Sequence, residues 1–419
     1  MKILLKGGRI VDPASGRDEV GDLFVADGKI LGAKEKPDRT IDAKGLVVAP
    51  GLIDLSARLR EPGDEYKATL ASELDAAVAG GVTSLACPPD THPPLDEPGL
   101  VDMLRRRAKA LARARVYPVG ALTVKLAGER LAEMSVLADA GCVAFSQANL
   151  PIADTQVLWR ALQYAATFGY PVWLRAEDKW LSREGVAHDG EMATRLGLAG
   201  IPGFTETIAL GTVLQLVRTT GARVHFCRLS TAAAVEMIRA AKKEKLPVSC
   251  DVGIHYVHLS ELDLGYYNTQ CRLDPPLRTQ RDRDALAAGL ADGTVDCAVS
   301  DHAPVDEDRK QLPFAEAEVG ATGLELLLPL ALKWGEARKL PLAKTLARVT
   351  SDPARVLGVH SGRIEPGAPA DLIVFDPKAP FQVTPESLKS QGKNSPFLGY
   401  ELAGRVRATL VDGLVVYEQ

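Results

Sequence analysis

The feature that most limits the fold of this chain is a repeated alternation of short apolar runs with longer helical stretches, which begins at Gly51. Val82–Cys87 precedes an Ala-, Leu- and Arg-rich stretch at 99–115, and a short run at 143–145 precedes Thr155–Phe168. Strands that alternate with helices form parallel sheets, and short apolar runs are typical of strands buried on both faces. Further runs of this kind lie at 116–122, 172–174, 224–229, 248–250 and 297–300. About eight units result, which predicts an α/β fold of the (β/α)8 barrel type.

Both ends of the chain have another pattern, in which strand-like runs are separated by turn residues. Such runs occupy 3–5, 20–25 and 46–48 near the start, and 370–375, 406–411 and 415–417 near the end. We expect residues 1–50 and 360–419 to pair into one small β-sandwich-like subdomain, with the barrel formed by residues 51–359.

Charge and cysteine usage exclude several classes of protein. The 50 basic and 54 acidic residues are mixed along the chain without a basic stripe, so nucleic acid is not an expected partner. No segment approaches the roughly 18 apolar residues of a membrane span, and the start reaches Asp12-Pro13 too soon for a secretory signal. The six cysteines contain no C-x-x-C pair, which argues against a zinc ribbon or a disulfide framework. We expect a cytoplasmic protein.

Residues that directly follow barrel strands carry the chemistry of such folds. Here residues 50–63 read PGLIDLSARLREPG. This segment resembles the first-strand signature of dihydroorotases, a family of cyclic amidohydrolases, which reads PGLIDLHVHLREPG. Further segments that resemble the family lie at 80–83, 141–146, 196–202, 300–304, 323–325 and 370–372, so the resemblance covers nearly the whole chain. It implies a barrel enzyme that opens a ring amide with metal-activated water.

The chain departs from the family at the metal ligands. The resemblance places changed residues at five ligand positions, namely Ser56, Arg58, Gln147, Arg175 and Arg228. Ser56 and Arg58 occupy the positions of two histidines of the family, and residues 147–149 occupy the position of its Asp-Asp-Gly. Arg175 and Arg228 each occupy the position of one further histidine. Of the family's metal ligands, only Asp301 of the last strand is retained.

Arginine cannot replace histidine as a metal ligand, because guanidinium has five donors, no free lone pair and a pKa above about 12. A lone Asp301 cannot hold the cation that brings the pKa of bound water from about 15.7 to near 7. We therefore expect no zinc, no other cofactor and no metal-assisted hydrolysis. We expect Arg58, Arg175 and Arg228 instead to point towards the strand ends and to form an ion-pair network with Asp301, Glu177 and Asp90.

The residues that would bind substrate are only partly retained. Arg60 stands at the family's position for the dihydroorotate carboxylate, although a salt bridge with Glu61 or Asp301 is an equally good interpretation. Asp90 and Asp274 replace two asparagines of the family, and their charges would oppose binding of an anion.

The histidines allow a further interpretation. His302 is retained beside Asp301, whereas Val305 replaces a second histidine of the family. The pair His255-x-x-His258 could bind a metal, but such a pair is more often hydrogen-bonded scaffold.

Five changed ligand positions favour a specialised, non-catalytic role. The resemblance implies one, since degenerate dihydroorotases act as scaffolds for the catalytic chain of aspartate carbamoyltransferase in pyrimidine biosynthesis. The resemblance also implies a homodimer, and symmetry allows such a dimer to enter a mixed assembly with this trimeric enzyme. Two alternatives stay open: an active amidohydrolase with an altered or metal-independent site that uses Asp301, His302 and Arg60, and a sensor whose arginines bind an anionic metabolite.

Overall fold

The computed structural model describes residues 2–32 and 36–419. Strands in this part are β1 Ile3–Asp12, β2 Arg17–Ala26, β3 Lys29–Leu31, β4 Arg39–Asp42, β5 Val47–Pro50, β6 Leu52–Asp54, β7 Val82–Cys87, β8 Arg115–Ala121, β9 Ala144–Ser146, β10 Val172–Leu174, β11 Ala187–His188, β12 Gly200–Ile201, β13 Val224–Phe226, β14 Val248–Gly253, β15 Cys297–Val299, β16 Leu372–Gln382, β17 Glu401–Val411 and β18 Leu414–Glu418. Helices are α1 Leu70–Ala79, α2 Pro98–Leu111, α3 Met134–Ala140, α4 Thr155–Phe168, α5 Glu191–Leu196, α6 Phe204–Thr220, α7 Ala232–Lys243, α8 Gln280–Asp292, α9 Glu307–Lys310, α10 Leu327–Ala337, α11 Leu342–Ala347 and α12 Ser351–Leu357.

The barrel consists, within the described chain, of eight parallel strands in the order β6, β7, β8, β9, β10, β13, β14 and β15. The first and last strands meet just beyond their carboxyl ends. There the Arg58 amide donates to the His302 carbonyl at 2.8 Å, and the His302 amide donates to the Ser56 carbonyl at 3.0 Å. The predicted (β/α)8 fold is confirmed, and its closure brings residues 56–58 next to residues 301–302.

Two layers of apolar side chains hold this barrel together. Ile53, Leu55, Val119, Trp173 and Val299 come from different strands or strand ends and pack inside the ring. The helices bury their apolar faces on its outer side, which is why all six residues of β7 are buried. None of the helices in residues 2–32 and 36–419 combines the length and the apolarity that a bilayer crossing requires.

The second sheet joins the two ends of the chain, as predicted. Its order is β18, β17, β16, β5, β1, β2 and β3, and β4 pairs with β1. The link between the ends is the antiparallel pair of β5 and β16, in which Leu372 lies opposite Pro50. The sheet has its own core, which includes Ile3, Leu5 and Val374. Because β5 ends at Pro50 and β6 begins at Leu52, this sheet leads directly into the barrel.

Candidate functional site

The candidate site lies at the carboxyl ends of the barrel strands. Ser56 and Arg58 follow β6, Arg228 follows β13 and Asp301 follows β15. The backbone φ angles of Arg60, Arg228 and Asp301 are 60°, 54° and 47°. A left-handed backbone at a non-glycine residue costs roughly 1–3 kcal/mol and persists only where its surroundings hold it. Three left-handed residues of this kind therefore lie at the end of the barrel where barrel enzymes carry out chemistry.

One carboxylate oxygen of Asp301 is the centre of this cluster. Its Oδ1 accepts hydrogen bonds from Ser56 Oγ at 3.3 Å, Arg58 Nη1 at 3.4 Å and Arg228 Nη1 at 3.2 Å. Burial is the largest single effect on Arg228 and opposes its charge, but the combined attraction of Asp301, Asp274 and other nearby groups outweighs burial and raises the pKa of this arginine above its usual value. The guanidinium of Arg228 is therefore charged at every physiological pH.

The amide of Asn149 joins the two guanidinium groups. Its Oδ1 accepts from Arg58 Nη2 at 2.8 Å and from Arg228 Nη2 at 2.5 Å, and its Nδ2 donates to Asp274 Oδ2 at 3.2 Å. The motif comparison gave this residue no role. From the sequence, only the position of Asn149 just after the strand at 143–145 could have suggested a role. In the structure this residue lies in the turn after β9, where Ala148 has a φ of 51°.

Further carboxylates complete the network around the arginines. Arg58 Nε donates to Asp90 Oδ2 at 2.8 Å. Burial opposes ionisation of Asp90, yet Arg58, together with Arg60 and Arg228, more than offsets this effect and lowers the pKa of that carboxyl. Arg175 binds Asp274 at 2.5 Å and Glu177 at 2.6 Å. Burial raises the pKa of Glu177 although Arg175 opposes the change.

Arg60 is less engaged than the other three arginines. Its Nε donates to the Pro304 carbonyl at 2.8 Å, and neither terminal nitrogen has a hydrogen-bond partner among the described residues. The alternative interpretation, a salt bridge of Arg60 with Glu61 or Asp301, is not found among the described residues; Glu61 binds Arg107 and the start of α1 instead. Burial, together with nearby Arg58, lowers the pKa of Arg60. The side chain lines a cavity of about 130 Å³ that also touches Asp90, Asn149, Arg228, Asp274 and Asp301.

Two other predicted site residues lie outside this network. Gln147 accepts from Thr123 Oγ1 at 2.9 Å and donates to the Leu126 carbonyl at 2.6 Å, so its amide serves the neighbouring loop. His302 is fully buried. Its Nδ1 accepts from the Gly323 amide at 3.1 Å and its Nε2 lies 2.6 Å from Glu73, so the ring is a neutral donor to that carboxylate.

Comparison with known proteins identifies the family. Residues 45–234 match the family described as Dihydro-orotase-like, and residues 224–417 match the Amidohydrolase family. A dihydroorotase-like protein of Pseudomonas aeruginosa is 44% identical, and a dihydroorotase of Geobacter sp. is 41% identical, each over 100% of both chains. This chain belongs to the dihydroorotase-like amidohydrolases. Among solved structures, an L-hydantoinase (dihydropyrimidinase) from Arthrobacter aurescens has a TM-score of 0.88 at 25% identity, over 99% of this chain and 96% of its own. A D-hydantoinase with a TM-score of 0.84 at 23% identity has the same fold.

The donor set of this dihydroorotase-like chain does not fit the divalent metal that its family resemblance implies. Around the Asp301 carboxylate stand the hydroxyl of Ser56, the guanidinium groups of Arg58 and Arg228, and Asn149. Zinc in proteins takes imidazole, thiolate or carboxylate ligands, and of these the described residues that contact one another around Asp301 supply Asp301 itself and the carboxylates of Asp90 and Asp274, which Arg58 and Arg175 already engage. The positive charges of both arginines would also repel a cation at this place.

A second group with ligand-type atoms lies inside the barrel. Suitable atoms of His225, Cys227 and Asp251 lie within 4.8 Å of one another. Both ring nitrogens of His225 are already engaged, at 2.8 Å from Ser249 Oγ and at 2.8 Å from Asp251 Oδ2. Burial raises the pKa of the Cys227 thiol and so disfavours the thiolate that a metal requires. Because Asp251 also accepts from the Arg228 amide at 2.6 Å, the group positions Arg228.

The pair His255 and His258 does not form a joint site in the described structure. His255 is buried with no partner for Nε2, whereas His258 Nε2 lies 2.9 Å from the Leu330 carbonyl. Burial lowers the pKa of each ring to about 4, so both are neutral.

Proposed function

We propose that this dihydroorotase-like chain is a catalytically inactive homologue that serves pyrimidine biosynthesis as a structural partner of the aspartate carbamoyltransferase catalytic chain. It is zinc-free and cytoplasmic in this proposal. The observation that carries it is the pair of guanidinium groups from Arg58 and Arg228, bridged by Asn149 and Asp301, at the strand ends.

The loss of activity follows from the energetics of water activation. Free water has a pKa of about 15.7, and a catalytic metal brings it to about 7. The difference of roughly 9 pKa units corresponds to about 12 kcal/mol at 1.36 kcal/mol per unit. Arginines bound to carboxylates offer no replacement for this effect, because a guanidinium cannot coordinate and activate a water molecule.

The partnership rests on the resemblance to degenerate dihydroorotases, and the fold agrees with it in one respect. The Asp301 cluster keeps the strand ends filled with hydrogen-bonded side chains, so the barrel can persist as a rigid body without its metal. A scaffold needs such a rigid body and does not need turnover.

The test combines three measurements on the full-length chain. Metal content by plasma mass spectrometry and dihydroorotase turnover in both directions are measured beside a metal-containing dihydroorotase. Assembly and activity of aspartate carbamoyltransferase are then compared with and without this chain. We expect no metal, no turnover and a mixed complex on which transferase activity depends. Stoichiometric zinc with turnover, or turnover without metal, would establish an active cyclic amidohydrolase instead.

Binding of a small anion is a second candidate function, favoured by the open terminal nitrogens of Arg60 in the 130 Å³ cavity. The other arginines contribute less to such a site because carboxylates already engage them. Carbamoyl aspartate should then raise the Tm of the wild type but not that of Arg60→Ala. Equal shifts in both proteins would rule out this use of Arg60.

A further inference from the structure

The cavity of about 130 Å³ at the strand ends has a wall that carries charges of both signs. Three arginines and four acidic residues line it, namely Arg58, Arg60 and Arg228 with Asp90, Asp274, Asp301 and Glu318. A plain anion would meet more negative than positive groups in this cavity. The charges of the wall therefore favour a ligand that itself carries both signs.

Most of the charged groups in this wall already bind other side chains. Asp301 and Asp274 accept hydrogen bonds from arginines, and Glu318 pairs with a lysine at 2.7 Å. Two groups of opposite charge keep atoms that no other described residue binds. They are the guanidinium of Arg60 and the carboxylate of Asp90.

The open atoms of these two groups are well defined. Arg60 donates through Nε to the Pro304 carbonyl, and both of its terminal nitrogens lack a hydrogen-bond partner in the described part of the chain. Asp90 accepts from Arg58 through Oδ2, whereas its Oδ1 is buried without a partner among those residues. A buried polar atom without a partner is costly, so it marks a place where a bound molecule can supply the missing hydrogen bond.

Both groups are charged at physiological pH. Burial opposes the charge of Asp90, but the arginines around it outweigh burial and lower the pKa of this carboxyl. Burial and the nearby Arg58 lower the pKa of Arg60, yet a guanidinium is basic enough to keep its proton. Arg60 and Asp90 attract each other across the cavity but form no hydrogen bond within the described structure. A molecule with a negative and a positive end can satisfy both.

We propose that this cavity binds a small zwitterionic amino acid, with its carboxylate on Arg60 and its ammonium on Asp90. A guanidinium offers only donors and suits a carboxylate, whereas a carboxylate offers only acceptors and suits the three N–H donors of an ammonium. Arg228 also lines the cavity, and its Nε is a buried donor without a described partner. This inference rests on the binding of small molecules by Arg60 proposed above, and it specifies the class of ligand.

The size of the cavity limits the ligand to the smallest amino acids. Its volume of about 130 Å³ equals that of roughly four water molecules at about 30 Å³ each. Glycine and alanine are of this size class. Leu273, Ala303 and Val319 complete the wall with apolar atoms, which suit a short aliphatic side chain.

Isothermal titration calorimetry of the full-length chain at neutral pH tests the proposal with three small probes. Alanine carries both charges, propionate lacks the ammonium and ethylamine lacks the carboxylate. We expect alanine to bind at least about 10-fold more tightly than either of the others, because each of these leaves one charged hydrogen bond unmade. This comparison uses the wild type and needs no variant.

Two variants assign the two ends of the ligand. Asp90→Asn removes the partner of the ammonium, so the preference for alanine over propionate should fall at least about 10-fold. Arg60→Met removes the partner of the carboxylate and should abolish binding of both probes. Asp18→Asn is the matched control, because Asp18 is exposed on β2 of the other sheet, and it should leave every affinity unchanged. The Tm of each variant verifies its fold.

Three results would overturn the proposal. Propionate that binds as tightly as alanine would show a site for plain anions, and binding of anions by Arg60 would then stand without the amino acid. Alanine that binds equally to the wild type, Asp90→Asn and Arg60→Met would lie at another place on the protein. Alanine that does not bind in the millimolar range would leave the cavity to water. None of these results bears on the scaffold function, since no measurement involves aspartate carbamoyltransferase.

Discussion

Replacing Asp301 by Asn removes one negative charge from between two buried guanidinium groups without changing the shape of the side chain. The side chains of Arg58, Arg228 and Asp301 are 7%, 4% and 9% exposed, so water screens them little. Breaking a buried ion pair by removing one partner typically costs about 3–5 kcal/mol. We expect about 3 kcal/mol, the lower end of this range, because Arg58 keeps Asp90 and both arginines keep Asn149.

Equilibrium urea unfolding, followed by far-ultraviolet circular dichroism with a refolding series, measures this change. The matched control is Asp18→Asn, since Asp18 pairs with Arg9 at 2.7 Å but is 37% exposed. It should cost less than about 1 kcal/mol. Adding Arg228→Met to Asp301→Asn removes the orphaned positive charge, and we expect a favourable coupling of about 0.5–3 kcal/mol. An Asp301→Asn protein as stable as the wild type would refute the idea that these charges are buried and mutually compensated.

Three further outcomes are expected. Burial raises the pKa of Glu325 to about 7 from the usual 4.5, so the folded chain binds the extra proton in this window. Stability should fall as pH rises from 4.5 to 7, by at most about 1.4 kcal/mol per pH unit, and Glu325→Gln should lose that slope in urea unfolding at several pH values. The double variant Ser56→His with Arg58→His should show no zinc-supported turnover, because three other ligand positions remain changed; measurable dihydroorotate hydrolysis would contradict this. Arg60→Met should cost no more than about 1.5 kcal/mol and Arg58→Met about 3 kcal/mol, because only Arg58 leaves buried carboxylates behind; equal unfolding free energies would disprove the difference in pairing.

Much of the fold was predictable because its strands are short, apolar and separated by amphipathic helices. Val82–Cys87, Val172–Leu174 and Thr155–Phe168 begin and end where the pattern placed them. Other boundaries shifted: the run 224–229 yields a strand of only three residues, Val224–Phe226. The strand ends there because the backbone turns left-handed at Arg228, whose amide donates to the Asp251 side chain and not to a backbone carbonyl of a neighbouring strand.

For the candidate site, the sequence predicts a chemistry but not the contacts of each side chain. Arginine at ligand positions predicts a site unfit for metal, whatever the surroundings, because guanidinium has no lone pair to share. The partners of each arginine could not be read from the sequence. Asn149 contacts the arginines only because the turn after β9 places it at the carboxyl ends of the barrel strands. The same turn directs Gln147 to the Leu126 carbonyl of the neighbouring loop.

The sequence by itself determined the alternating elements and the family, and its resemblance to that family predicts replaced ligand residues, because these depend on residue type and spacing along the chain. Only the tertiary structure decided that Ser56 and Arg58 meet Asp301, since closure of the barrel joins segments more than two hundred residues apart. Only the tertiary structure decided that Arg60 keeps open nitrogens while Arg175 does not. The physical reason is that hydrogen bonds and ion pairs depend on distance in space, and a sequence specifies only distance along the chain.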